Sequence, residues 1–207
     1  MNTITSTPSP HDISVELHPL QPFLPPGVRV LMLGSFPPQA KRWCMPFFYP
    51  NYNNDHWRIV GAAFYGDRNH FVDTARRCFR LDLIKAFATQ AGIGYYDTAT
   101  AVRRLRDNAS DHFLQVVTPT DIVALTAPLA ELRVIGVTGQ LATSTLCATL
   151  GIDTPPAVGE SVVTHLHHQL LVWRLPSSSR AYPLAFDRKV EAYATMFRAV
   201  GLLGDTP

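Results

Sequence analysis

The chain has 207 residues, 46% of them hydrophobic and 16% charged, which fits one folded domain with a sizeable core and excludes a disordered segment. Lys and Arg exceed Asp and Glu by only 18 to 16, too small a balance to announce nucleic acid by itself, though a local phosphate-binding cluster needs no more. Cys44, Cys78 and Cys147 lie far apart and form no Cys-x-x-Cys pair, which argues against a structural zinc or iron–sulfur site and fits a reducing compartment. No apolar run reaches membrane-spanning length, and the polar start, residues 1–11, lacks the apolar stretch of a secretory signal. A cytoplasmic, bacterial-type location follows, with no membrane partner.

Residues 1–27 carry six of the 17 prolines and read as an irregular lead-in to a single domain over 28–203. The run Val-Arg-Val-Leu-Met-Leu, residues 28–33, predicts a short buried strand ended by Gly34. Pro37 and Pro38 then force a long loop over 34–50, and long ordered loops in small domains are often functional. Residues 54–64 predict a helix with Asn53 or Asn54 as its cap, and 73–90 one or two helices. A strand-like run at 93–96 precedes a loop at 108–117, and Thr118-Pro119 predicts a helix start running to about 130. Strands are expected at 133–137 and 170–175, helices at 140–150 and 185–200, and a loop at 176–183.

Apolar strand, polar loop and helix recur, which predicts an α/β fold: three α/β/α layers around a short, largely parallel sheet. Ligands in such folds gather beyond the carboxyl ends of the strands. Three segments should meet there: 34–38, 138–140 and 176–180. In the last, Ser177, Ser178, Ser179 and Arg180 follow a buried strand with three hydroxyls and a guanidinium, a set suited to phosphate oxygens. Serine and proline are also ordinary turn residues. In the first, Gly34 allows close approach of a ligand to the backbone, Ser35 follows it, and Phe36 stands where a ring can wall a pocket. Phe47, Phe48 and Tyr49 suit base stacking or, equally, core packing. Among Asn51, Asn53 and Asn54, an amide offers both donors and an acceptor to a base edge, while helix capping and turns account for most such residues. His165, His167 and His168 lack a nearby acid or cysteine to complete a metal site. Arg103, Arg104 and Arg106 form a compact basic patch that suits a DNA backbone or a solvated face.

Gly-Ser-Phe-Pro-Pro after a strand, then Phe-Phe-Tyr-Pro and Asn-Asp-His-Trp, resembles the first motif region of the uracil-DNA glycosylase superfamily. The nearest patterns are its hypoxanthine-DNA and mismatch-specific branches. Leu175-Pro176-Ser177-Ser178-Ser179 is similar to the second motif, and Gly94-Tyr95-Tyr96-Asp97 and Gly136-Val137-Thr138-Gly139-Gln140 to middle segments, so the likeness runs over about 28–203.

The resemblance implies a monomeric, cofactor-free enzyme that flips a deaminated or mismatched base out of DNA and hydrolyses its N-glycosidic bond, initiating base-excision repair. It assigns Asn54 as the amide contacting base or water. Gly34, Ser35, Phe36, Phe47 and Phe48 become base-binding residues, Phe47 as the stacking ring. Ser177, Ser178, Ser179 and Arg180 become the DNA contacts. Phe36 and Leu175 depart from the pattern, since other branches place polar catalytic groups there. That leaves a weakly active or inactive DNA-binding homologue as the main alternative. A serine hydrolase using the 177–179 loop lacks the Gly-x-Ser-x-Gly elbow, and a purely structural module remains a third reading.

Overall fold

The computed structural model describes residues 13–106 and 111–204. Its centre is a five-stranded sheet. β2 (Val30–Gly34) lies between β5 (Ile93–Asp97) and β8 (Val134–Thr138), β8 is followed by β10 (Gln169–Leu175), and β9 (Ser161–His165) forms the edge. The first four run parallel and β9 pairs antiparallel to β10. Every residue of β2, β5 and β8 is buried, as expected of parallel strands covered on both faces. The covering helices form two packed pairs, α1 (His56–Tyr65) with α5 (Phe186–Ala199) and α3 (Ile122–Thr126) with α4 (Gln140–Leu150). α2 (Leu81–Ala91) packs beside β5. The predicted α/β class and its central sheet are thus present. No helix among the described residues is long and apolar enough to cross a membrane.

Three stretches differ from the sequence reading. Residues 73–90 are not all helix: β3 (Val72–Asp73) and β4 (Cys78–Phe79) form a hairpin before α2 begins. The hairpin buries Val72 and Phe79 at its base while the exposed Arg77 takes φ +50° at its turn. Where a loop was expected over 108–117 and a helix from Thr118 to about 130, β7 (Leu114–Pro119) extends instead, and between 118 and 130 only the five residues of α3 are helical. Residues 108–110 of that expected loop lie outside the described residues. Leu114 and Val116 face the core with the exposed Gln115 between them, a period of two that outweighs the helix-start signal of Thr118-Pro119.

β7 belongs to a second, antiparallel sheet with β6 (Ala99–Arg104) and β1 (Val15–Leu17). The lead-in therefore contributes a strand, and Phe23 also bridges to Tyr95 through both backbone hydrogen bonds (3.0 and 2.9 Å). The chain passes from the first sheet into the second at Asp97–Thr98. The Thr98 N–H donates to Gly34 O (2.8 Å), and the Thr120 hydroxyl donates to Asp97 O (2.7 Å). That bend fixes the end of β5 against the end of β2.

Candidate functional site

The strand register brings four strand ends to one edge of the sheet. Gly34 pairs with Asp97, and Thr138 pairs with Leu175. A cleft of about 650 Å³ opens beyond them. It is lined by 34–38, by Tyr49, Asn51, Asn53 and Asn54, by Asp97, by Arg104, Asp111 and Leu114 of the second sheet, by Thr138, and by 177–183. A cleft at the carboxyl edge of a parallel sheet is the expected ligand position, and this volume lies within the usual range of small-molecule sites.

The Leu175–Pro176 end of β10 leads into a loop tied down on two sides. The Asp55 N–H donates to Ser178 O (3.0 Å), and Asn54 and Ser179 form an antiparallel bridge. Lys189 Nζ donates to Ser179 O (2.7 Å), and Tyr193 Oη donates to Pro176 O (3.3 Å). Arg180 Nε meets Asp55 Oδ1 at 2.9 Å, while its side chain stays 46% exposed. Ser177 Oγ accepts from the Ser179 N–H, and Ser179 Oγ accepts from the Ala181 N–H (both 3.2 Å). These turns consume hydroxyl lone pairs and leave the hydroxyl protons to donate.

Asn54 sits at the mouth of α1. Its Oδ1 accepts from the His56 N–H (2.8 Å) in a turn just before the helix, while Asp55, rather than the expected Asn53 or Asn54, occupies the cap position. Asn51 Oδ1 does the same for Asn53 N–H (2.9 Å). Among the described residues the Asn54 amide nitrogen has no protein acceptor, so its two hydrogens remain to be offered to the cleft.

Gly34, Ser35, Phe36, Asn54, Ser177, Ser178, Ser179 and Arg180 are all brought together around the cleft. Phe47 and Phe48 are not. Both are buried in the main core, where Phe47 packs edge-on against Phe23 and Phe48 (5.1 and 5.2 Å). Trp57 Nε1 donates to Phe48 O (3.0 Å) and draws that stretch inward. The chain then turns at Tyr49, whose φ of +50° sends this next residue, not Phe47, to the cleft. Tyr49 Oη hydrogen-bonds Thr138 Oγ1 (2.9 Å), and its ring stacks on His56 at 3.7 Å with planes 9° apart. Burial keeps its phenol protonated well above the ordinary range.

Two carboxylates that sequence reading did not single out complete the floor. Asp111 Oδ1 accepts from Ser35 Oγ (2.8 Å). Burial pushes the Asp111 carboxyl above its ordinary range, the Ser35 bond opposes this, and the charge of Asp97 adds to it. Asp97 Oδ2 lies 2.9 Å from His18 Nε2. Its other oxygen presses on Gly34, where any Cβ would collide with it. Gly34→Ala is therefore expected to lose about 1–3 kcal/mol of stability through overpacking, read as a lower urea midpoint. An unchanged midpoint would show that Asp97 gives way freely. The end of β5 obeys the same strand-end rule as the other three and was the signal available for Asp97. Nothing in the Pro-rich lead-in marks His18.

The basic patch divides in the same light. The Arg104 side chain is 3% exposed and engages Glu16, and Arg106 lies over the Phe113 ring at 4.3 Å. His167 and His168 meet the backbone carbonyls of Val123 and Leu132 (2.9 and 2.6 Å).

No protein-family model matches the chain, and no curated protein matches it in sequence. Its fold is similar to the solution NMR structure of a "putative Uracil DNA glycosylase from Methanosarcina acetivorans". That likeness has a TM-score of 0.59 at 20% identity and covers 90% of this chain and 99% of the other.

Proposed function

We propose that the chain is a monofunctional DNA glycosylase that hydrolyses the N-glycosidic bond of a uracil- or hypoxanthine-class base flipped out of DNA. The observation that carries the reading is the cleft. A cleft roomy enough for a flipped nucleotide, walled by Phe36 and Tyr49 and offered the Asn54 amide, lies beside a hydrogen-bonded loop of three serines and Arg180. The fold neighbour named for uracil removal supports it.

In this reading the Ser177 and Ser179 hydroxyls and the Arg180 guanidinium hold backbone phosphates on either side of the flipped nucleotide. The base enters between Phe36 and Tyr49. Cleavage leaves an oxocarbenium-like sugar and an electron-rich base, so donors fixed before the reaction lower the barrier. Asn54 is the donor: its oxygen is held by the start of α1, which aims its N–H groups at the polar edge of the base. Water supplies the hydroxyl that ends on the sugar, and no organic cofactor or metal is invoked.

The test is a set of duplex oligonucleotides carrying uracil, hypoxanthine, xanthine or mismatched thymine, with abasic sites cut by alkali. Release of at least one base is expected, and Asn54→Ala should slow its single-turnover rate by about 100-fold, the usual cost of one such donor. Undiminished release by Asn54→Ala would remove the amide from the mechanism. Binding without release of any base would favour a DNA-binding homologue, a reading that the engaged Oδ1 of Asn54 and the apolar Phe36 and Leu175 also accommodate.

A further inference from the structure

Asp97 has one oxygen pinned and one unused. Oδ2 accepts from His18 Nε2 at 2.9 Å. Among the described residues Oδ1 has no protein donor, and it lies against Gly34 at the cleft floor. His18 is itself fixed. Its Nδ1 lies 2.8 Å from Leu20 O and 3.1 Å from Leu20 N, its side chain is 3% exposed, and its ring packs on Tyr96 and Phe36 with centroids 4.7 and 5.2 Å away. An ionised carboxylate only accepts, so Nε2 carries the proton, either in the Nε2–H tautomer, with Nδ1 accepting from the Leu20 N–H, or in the imidazolium, with Nδ1 donating to Leu20 O. The lead-in thus inserts a buried imidazole behind a carboxylate whose free oxygen faces the cleft. A group held by a hydrogen-bonded orienting partner is the usual construction of a positioned base.

Other cleft side chains serve this purpose less well. Phe36 and Leu114 have no polar atom to offer. Tyr49 is a partly buried phenol kept protonated by its surroundings, with its oxygen already bonded to Thr138 Oγ1. Asp111 has one oxygen taken by Ser35 and sits where burial disfavours its charge. Asp97 reaches the floor because position 34 has no side chain.

We infer that Asp97 is the catalytic carboxylate of the cleft and His18 its positioning residue. This rests on the glycosylase reading and assigns the water-activating step within it. As the C1′–N bond breaks, its electron pair leaves on the base. The negative Oδ1 stabilises the cationic sugar and takes one proton from the attacking water, whose oxygen forms the new C1′–O bond. The base then takes a proton from solvent, and Asp97 returns its proton to solvent.

A purely structural role, joining the lead-in to the sheet, makes the opposite prediction for Asp97→Asn. The asparagine carbonyl still accepts from His18 but is far less basic. Single-turnover release from whichever lesion duplex the wild type cleaves should fall by about 100-fold or more in D97N, with the Kd for uncleaved duplex within about twofold of wild type. His18→Ala should lose rate at unchanged Kd, and His18→Gln, which restores an N–H donor of similar reach, should recover most of it. A D97N rate within threefold of wild type would overturn the assignment while leaving the glycosylase reading intact. Equal losses in His18→Ala and His18→Gln would remove His18 from it. No release by the wild type from any duplex would overturn both the reading and this role.

Discussion

Replacing Arg104 by methionine is expected to destabilise the fold by about 3 kcal/mol, although the site lies within a run that reads as a surface patch. Its guanidinium makes a two-pronged contact with Glu16, Nε to Oε1 and Nη2 to Oε2 (both 3.0 Å), and Nη2 also donates to Pro37 O (3.1 Å). Glu16 stands on β1 and Arg104 on β6, so the pair clamps the lead-in strand to the second sheet. The bond to Pro37 holds the loop that begins at the cleft floor. Methionine fills the aliphatic space but leaves the Pro37 carbonyl and a partly buried carboxylate without their donor. Urea unfolding of Arg104→Met beside Arg76→Met provides the measurement. Arg76 is 85% exposed and meets Asp73 at 3.6 Å, so its loss should barely move the midpoint. Equal midpoints for the two variants would show that the Glu16–Arg104 clamp contributes no more than a surface pair.

Arg104 also illustrates why some of the molecule was legible in sequence and some was not. Strands such as 133–137 and the loops that follow them declare themselves locally, through apolar runs and through glycine and proline. The cleft edge follows from where the strands end, so Gly34 and the serine loop could be located from the sequence, while Asn54 was singled out by the motif resemblance. Pairing across the chain is not local. Glu16 and Arg104 are 88 residues apart, and His18 and Asp97 are 79 apart. Only the fold reveals that the Pro-rich lead-in supplies a strand, an ion-pair partner and the histidine behind a cleft carboxylate. The aromatic run 47–49 fails for a related reason. Three successive rings cannot all face one way, and which one turns outward depends on Trp57 holding Phe48 O and on the unusual φ of Tyr49.

The ring beneath Tyr49 gives the strongest expected pH dependence. His56 is fully buried, its Nδ1 has no hydrogen-bond partner among the described residues, its Nε2 has only a long 3.5 Å contact with Tyr95 Oη, and Trp57, Tyr95 and Tyr193 pack edge-on around it. Burial lowers its pKa from 6.5 to about 3. The unfolded chain takes up a proton at this residue below pH 6.5, while the folded protein does not until near pH 3. The stabilisation is therefore complete above pH 6.5 and is lost progressively as pH falls toward 3. Linkage puts the loss at about 2 kcal/mol by pH 5 and about 3 kcal/mol by pH 4. His56→Leu, an apolar side chain of similar volume, should remove that part of the pH dependence whatever its own stability at pH 7. The measurement is the change in unfolding free energy between pH 7 and pH 5 for both proteins. Every other side chain is common to both proteins, so the difference between the two slopes isolates His56. Identical slopes would mean that the imidazole finds solvent or a partner in the folded state. A slope smaller by about 2 kcal/mol would establish that the ring supporting the cleft's Tyr49 stays neutral across the physiological range, and that acid removes this support from the site.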